Sequence, residues 1–291
     1  MDSIAYASLT HVHLLNLIHT HLDSLAGADT IRILDAGCGN GKLIGYLQKS
    51  LRALHPGKDI EVYGFDVADH GVQNGGFFEK TCSSLYTDLP DIDWSKRLFL
   101  IQQGEAWPFA DGFFSIVLSN QVLEHVRDMS LFVQNVKRSL RDGGMSFHLF
   151  PLKNYIYEGH LFIPYAHRIG DYQALASYLR FMSRLGIGKY RREGKAEGVY
   201  KWCERHADYL YFQTHYREAA DFMLLGKEHG MRCGFEYTRH FYTLKLWQLL
   251  GRKSLVMKYQ TRFKLLSPLM RRLFAKLSSV TLTYTKMDTY R

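Results

Sequence analysis

Between residues 8 and 25 the apolar positions Leu14, Leu15, Leu17, Ile18, Leu22 and Leu25 recur at helical spacing. This predicts a leading helix. Ile31 to Asp35 is a short apolar run ending in an acid, and a glycine-rich turn follows from Gly37 to Gly41. The pattern then reads as a helix over Leu43–Leu54, a strand over Glu61–Asp66, and strands over Leu98–Gln102 and Phe114–Ser119. Val122–Leu140 has helical spacing. Asp142-Gly143-Gly144 reads as a turn into a strand over Met145–Phe150. Strands alternating with helices predict an α/β fold, a parallel sheet wrapped by helices.

The alternation stops after residue 150. Residues 151–216 mix aromatic and basic side chains with scattered glycines and read as an inserted lid or substrate-binding segment. A helix is expected over Tyr216–Gly230 and a strand over Phe235–His240. Residues 243–277 have a helical pattern, and Val280–Thr285 alternates like a strand. The two late strands could pair antiparallel at the sheet edge. The expected organisation is a core over 1–150, an insertion over 151–216, and a completion of the sheet over 217–291.

Composition sharpens this division. The chain has 291 residues and a net charge of +9. Residues 1–150 carry 12 Lys/Arg against 17 Asp/Glu, whereas residues 151–291 carry 25 against 11. The second part therefore suits something anionic. Arg252–Lys276 holds eight basic residues, no acid, and interleaved apolar positions such as Leu255, Phe263 and Leu269. That pattern fits peripheral contact with an anionic membrane, or a packed helix with a solvated basic face. No apolar run approaches the roughly 20 residues of a spanning helix, and no signal-peptide pattern opens the chain. Cys38, Cys82, Cys203 and Cys233 have no paired spacing, which excludes a zinc-ribbon motif and fits a reducing, cytoplasmic setting.

The strongest local signal is Leu34-Asp35-Ala36-Gly37-Cys38-Gly39-Asn40-Gly41-Lys42-Leu43. Glycines there allow close ligand approach. The dinucleotide fingerprint needs glycine where Lys42 stands, and the phosphate loop needs a hydroxyl residue where Leu43 stands. Asp35 also disfavours a bound phosphate. A carboxylate at that place suits a cation, such as the amino and sulfonium end of S-adenosylmethionine.

With these residues the chain resembles a class I S-adenosylmethionine-dependent methyltransferase of the type 11-like kind. Asp66 at the end of the second strand, Gly104-Glu105-Ala106, the run Trp107 to Leu118, Ser119 to Val126, and Val136 to Gly144 follow in the family's order over residues 31–150. The resemblance implies a Rossmann-like, seven-stranded, mostly parallel sheet with helices on both faces. It implies S-adenosylmethionine as cofactor. Its contacts are expected at Asp35, Gly37, Cys38, Gly39 and Gly41, at Asp66 and Val67 near the ribose, at Gly104, Glu105 and Ala106 near the adenine, and at Asn120 and Gln121. Glu105 stands where the family commonly has Asp, and Ser115 replaces an acid often seen in the fourth strand.

Methyl transfer from a sulfonium needs an aligned nucleophile and a proton acceptor when the nucleophile is a hydroxyl. Histidine is the natural base near neutral pH. The candidates are His125, after the fourth strand, and His160 and His167 in Glu158-Gly-His-Leu-Phe-Ile-Pro-Tyr-Ala-His-Arg168. Gln121-x-x-Glu124-His125 resembles a metal-binding E-x-x-E-H, but Gln121 is a neutral, poor ligand. No metal is therefore expected, and Glu124 and His125 are read as capping or lining the next helix. His11, His13, His19 and His21 are read as exposed or partly buried helix positions.

Segment 155–216 contains fourteen aromatic residues, among them Tyr155, Tyr157, Phe162, Tyr165, Tyr200, Trp202 and Tyr211. Most are expected to form the insertion's own core. The others suit sugars, rings or amphipathic lipids. The segment weakly resembles bacterial methyltransferases of surface polysaccharide and glycolipid assembly. The expected activity is O-methylation of a sugar, glycolipid or other small hydroxyl compound. A nucleic-acid acceptor is disfavoured because no nucleic-acid module is visible. A non-catalytic adaptor retaining the fold is the remaining alternative.

Overall fold

The computed structural model describes residues 8–25, 30–68, 76–252, 255–260 and 275–286. Among them the chain runs α1 (Leu9–His21), β1 (Thr30–Ala36), α2 (Lys42–Leu54), β2 (Asp59–Val67), α3 (Phe77–Asp88), β3 (Leu98–Ile101), β4 (Phe114–Asn120), α4 (Met129–Ser139), β5 (Leu140–Phe150), α5 (Tyr172–Arg184), α6 (Tyr190–Glu193), α7 (Val199–Gln213), α8 (Ala219–Glu228), β6 (Met231–Gly234), α9 (Thr238–Leu249) and β7 (Val280–Lys286).

The seven strands form one sheet in the order β3-β2-β1-β4-β5-β7-β6. β1 through β5 pair parallel, and β7 pairs antiparallel with both β5 and β6. This is the Rossmann-like α/β architecture expected from the sequence. Both faces are buried, as a parallel sheet requires. Successive residues supply opposite faces. Ile31 and Ile33 of β1 pack with α1, α2 and α9, whereas Leu34 and Ala36 pack with α4 and α8.

Several local expectations change. The expected strand Phe235–His240 does not form. β6 is the four residues Met231–Gly234, and Thr238 already lies in α9. Periodicity over such short runs cannot separate the two. The expected helix Val122–Leu140 is broken. A 3-10 turn over Leu123–His125 comes first, and α4 starts afresh at Met129 with the Asp128 carboxylate accepting from the Leu131 N–H at 2.9 Å. The turn expected at Asp142-Gly143-Gly144 is a bulge within β5, where pairing jumps from Phe114↔Leu140 to Ile116↔Met145. Much of the basic stretch expected as a helical excursion, 253–254 and 261–274, lies outside the described residues.

Residues 161–210 hold a separate small core of Leu161, Ile163, Leu175, Leu179, Trp202, Cys203 and Leu210. Most of the named aromatics stay outside it. Tyr157, Phe162, Tyr165, Tyr200 and Tyr211 are exposed, and Trp202 is buried. The core is filled by Trp202 and by aliphatic side chains at helical spacing on α5 and α7, and Tyr172, Tyr178, Tyr190 and Tyr209 pack against it.

α1 also clamps a distant segment. Asn16 donates to the Leu255 carbonyl at 3.1 Å and accepts from the Met257 N–H at 2.9 Å. The Tyr259 N–H donates to Thr20 Oγ1 at 2.7 Å. His13, expected exposed or partly buried, is fully buried and bridges Tyr259 and Thr281, at 2.8 Å to each. Among the described residues no helix is long and apolar enough to cross a membrane.

Candidate active site

The glycine turn leaves β1 at the carboxyl edge of the sheet, where α/β folds bind ligands. Its backbone is tied to β2. The Gly37 and Cys38 N–H groups both donate to the Phe65 carbonyl at 2.9 Å, and the Gly39 N–H donates to Asp66 Oδ2 at 2.7 Å. Gly37 has φ +80°, and a Cβ there would stand 2.6 Å from Val122 Cγ2. Only glycine fits this close approach.

A cavity of about 280 Å3 opens at the turn, lined by His11, Asp35, Gly37, Cys38, Gly39, Asn40, Leu43, Phe77 and Asn120. Asp35 is 2% exposed, and its Oδ1 has no hydrogen-bond partner. Burial, reinforced by the nearby Asp66 charge, raises the Asp35 carboxyl well above its ordinary range. A buried carboxylate oxygen without a partner is costly unless a cation or donor completes it. Gly39 supplies backbone with open space where a side chain would stand. An orphaned acid beside a bare turn fits the ammonium and sulfonium end of S-adenosylmethionine. Asp66 is half-buried at the tip of β2. Its Oδ1 accepts from the Val67 N–H at 2.7 Å. Burial and both acids hold the Cys38 thiol well above its usual range, so it stays protonated.

The other expected cofactor residues are distributed unevenly. Asn120 lines the cavity and donates to Thr10 Oγ1 of the segment opening α1 at 3.3 Å. Gly41 is the left-handed N-cap of α2. Gly104, Glu105 and Ala106 form an exposed turn beyond β3, outside the cavity lining, and Glu105 Oε2 accepts from the Gln102 N–H of its own turn at 2.8 Å. Gln121 points away. Its side-chain nitrogen reaches the Leu149 carbonyl at 3.3 Å and Ser279 Oγ at 3.0 Å. His11, Asn40, Leu43 and Phe77 line the cavity but were absent from the expected set. Asn40 and Leu43 flank the glycines and were within reach of the motif; His11 and Phe77 arrive through tertiary packing.

The three candidate histidines part company. His125 and His160 meet with ring centroids 5.2 Å apart, although 35 residues separate them in the chain. Tyr209 of α7 lies against both. His125 Nδ1 donates to the Gln213 carbonyl at 2.9 Å, which fixes its tautomer and leaves the lone pair on Nε2, where it faces the Tyr209 hydroxyl at 3.5 Å. His160 Nδ1 faces Glu158 Oε1 at 2.6 Å. Glu158 is fully buried and also accepts from the Leu161 N–H at 2.7 Å and the Tyr216 hydroxyl at 2.9 Å. Burial opposes its charge, but the hydrogen bonds win and hold Glu158 below its ordinary value. Burial likewise opposes the His160 charge, and the Glu158 carboxylate overrides it, raising His160. Glu124 is 2% exposed with Oε2 unpartnered, and burial pushes its carboxyl up to about 7. Of the two roles expected for Glu124 and His125, capping the next helix falls instead to Asp128, the N-cap of α4.

His167 does not join the cluster. Its Nε2 donates to the Lys153 carbonyl at 3.0 Å, and its ring packs on Tyr216 with centroids 4.5 Å apart. The non-glycine residues with positive φ among the described residues are Gln121, Phe162 and Tyr165, each near 55–59°. All three lie in the segments that carry the histidine cluster.

The chain is similar to known methyltransferases. A family model described as a methyltransferase domain matches residues 11–198. The ubiquinone biosynthesis O-methyltransferase of Brucella anthropi is 31% identical over 120 residues, 41% of this chain and 40% of that protein. The phthiotriol/phenolphthiotriol dimycocerosates methyltransferase 1 of Mycobacterium ulcerans is 30% identical over 134 residues, 46% of this chain and 41% of that protein. The chain thus spans about two-fifths of the length of these curated relatives. A solved S-adenosylmethionine-dependent methyltransferase from Mesorhizobium loti is 15% identical with a TM-score of 0.45, over 91% of this chain and 95% of that one. The matched model covers well over half of the sequence, and the chain belongs to the class I methyltransferase family.

Proposed function

We propose that the protein is an S-adenosylmethionine-dependent methyltransferase acting on a hydroxyl of a small acceptor, of the sugar, glycolipid or related class, with His160 as the base. The observation that carries this reading is the His160–Glu158 pair in the loop after β5, set against His125 of the turn that follows β4. A buried carboxylate orients the imidazole and stabilises its protonated form. The acceptor oxygen attacks the methyl carbon in line with the sulfur. The O–C bond forms, and the C–S electron pair returns to sulfur as a neutral thioether. The hydroxyl proton passes to His160 Nε2. Asp35 holds the cofactor's cationic end and Asp66 its ribose.

The exposed rings of Tyr157, Phe162 and Tyr165, beside Lys189 and Arg168, give the acceptor aromatic faces with a positive rim. The name of the Brucella relative, an O-methyltransferase, supports oxygen as the nucleophile. Exposed Leu246, Leu249, Leu250 and Leu255 beside Arg252 support contact with an anionic membrane surface as part of the same proposal.

The test is incubation with labelled methyl donor and fractionated cell extract. A labelled ether on a small or lipid-linked hydroxyl compound, lost in His160→Ala, is expected. Label only on nitrogen or on nucleic acid would overturn the reading.

A further inference from the structure

We propose that Glu124, His125 and His160 form a binding site for one divalent first-row transition-metal ion of the zinc type. One ligand atom from each lies within 4.8 Å of the other two. An ion about 2.1 Å from each donor would draw these atoms together by roughly 1 Å, within reach of side-chain rotation.

Three features point to an ion rather than a chance cluster. First, the Glu124 carboxylate sits beside two imidazoles, and its buried Oε2 has no hydrogen-bond partner. Buried polar atoms are rarely left so. Second, each histidine is already oriented through its other nitrogen. His125 Nδ1 is held by the Gln213 carbonyl, and His160 Nδ1 by the Glu158 carboxylate. Metal-ligating histidines are usually held in this way, which turns Nε2 toward the ion and raises its basicity. Third, the ligands come from two separate segments fixed by different means. Glu124 and His125 ride the 3-10 turn whose Val122 packs over Gly37, and His160 rides the loop closed by the Tyr157↔Pro164 bridge. Gln121, which the spacing alone offered as a ligand, is turned away. His160 fills the place from the insertion.

Two imidazoles and one carboxylate select zinc, cobalt or nickel over magnesium and calcium, which want oxygen. The remaining coordination positions would accept the acceptor's oxygen and lower its pKa. This deepens the proposed function for its role only; the existence of the site stands on the residues themselves. His160 Nε2 cannot hold an ion and a proton together. The bare site therefore uses His160 as base, and the loaded site releases the acceptor's proton to solvent.

The experiment is titration of the chelator-treated full chain with Co2+ and Zn2+, followed by cobalt absorption and calorimetry, without acceptor. One ion per chain is expected. His160→Ala and Glu124→Gln should each weaken binding at least 30-fold. Glu158→Gln, which alters only the positioning of His160, should weaken it about tenfold. His229→Ala, a surface histidine on Ser130, should change nothing. S-adenosylhomocysteine binding and melting temperature report folding of each variant and remain intact even if the acceptor reading fails. Binding that survives His160→Ala in folded protein, no stoichiometric binding, or a preference for magnesium would overturn the proposal.

Discussion

Glu158 Oε1 stands 2.6 Å from His160 Nδ1, and the same carboxylate takes a second hydrogen bond from Tyr216. One buried acid therefore links the loop after β5 to Tyr216, three residues beyond the end of α7, and it sets the protonation of the imidazole it faces. The base must be neutral at Nε2 to work, and Glu158 raises the pKa of His160. In chelator-treated protein the transfer rate should climb with pH through a midpoint above the free value of ~6.5. Glu158→Gln should move that midpoint down and lower the plateau. A profile unmoved by Glu158→Gln would remove His160 from the proton path.

The carboxyl of Asp35 is raised by burial and by Asp66. An acid whose folded pKa lies above its unfolded value costs stability as pH rises through that interval. Asp35→Asn should therefore stabilise the cofactor-free protein at neutral pH, seen as a higher melting temperature. It should also weaken S-adenosylmethionine more than S-adenosylhomocysteine, because only the former carries the sulfonium charge. Equal losses for both ligands would place the sulfonium elsewhere.

Asp66→Ala removes the acceptor of the Gly39 N–H together with the proposed ribose contact. Hydrogen bonds to charged groups contribute about 1.5–3 kcal/mol. Calorimetric affinity for S-adenosylhomocysteine should fall by about 10- to 100-fold.

Glu124 is fully buried with its carboxyl near 7, against an ordinary value of 4.5. Its contribution to metal-free stability is present at low pH and is lost as pH rises between these values, by up to about 3 kcal/mol. Glu124→Gln should flatten that dependence in denaturant titrations run from pH 5 to 8, and a saturating Zn2+ concentration should flatten it in the parent. An unchanged slope in the variant would assign the pH dependence to other groups.

Gly37→Ala introduces a Cβ 2.6 Å from Val122 at a left-handed backbone. The clash should cost about 1–3 kcal/mol, a fall in melting temperature of about 2–4 °C per kcal/mol at this chain length. It should also displace the turn bearing Glu124 and His125, so cobalt absorption should fall alongside cofactor affinity.

The cofactor half of the site was legible because its signals are local. β1, the glycines and Asp35 are contiguous, and Asp66 ends the next strand. The histidine cluster was not. His125 and His160 look independent in sequence, and the orientation that joins them is made by Glu158, two residues from His160, together with Gln213, Tyr209 and Tyr216, which are distant along the chain. Gln121 misled for a related reason. Its position after β4 is the family's, but its left-handed backbone swings the side chain to Leu149 and Ser279. β6 was missed because Met231–Gly234 is four residues long and leans on β7 for its pairing. His13 was misjudged because a histidine on an apolar face needs polar partners inside the core, and Tyr259 and Thr281 could not be seen to supply them.

The clamp of α1 on Leu255–Tyr259 and the seat of β7 between β5 and β6 bear on synthesis. α1 carries His11 to the cavity wall, and its neighbour Thr10 holds Asn120. Yet His13, Asn16 and Thr20 each take a hydrogen-bond partner beyond residue 250. A nascent chain on the ribosome can assemble β1 to β5 early, but that wall is not braced until residue 286 has cleared the exit tunnel. Retention of cofactor by stalled chains should rise sharply at that length rather than when the glycine turn emerges.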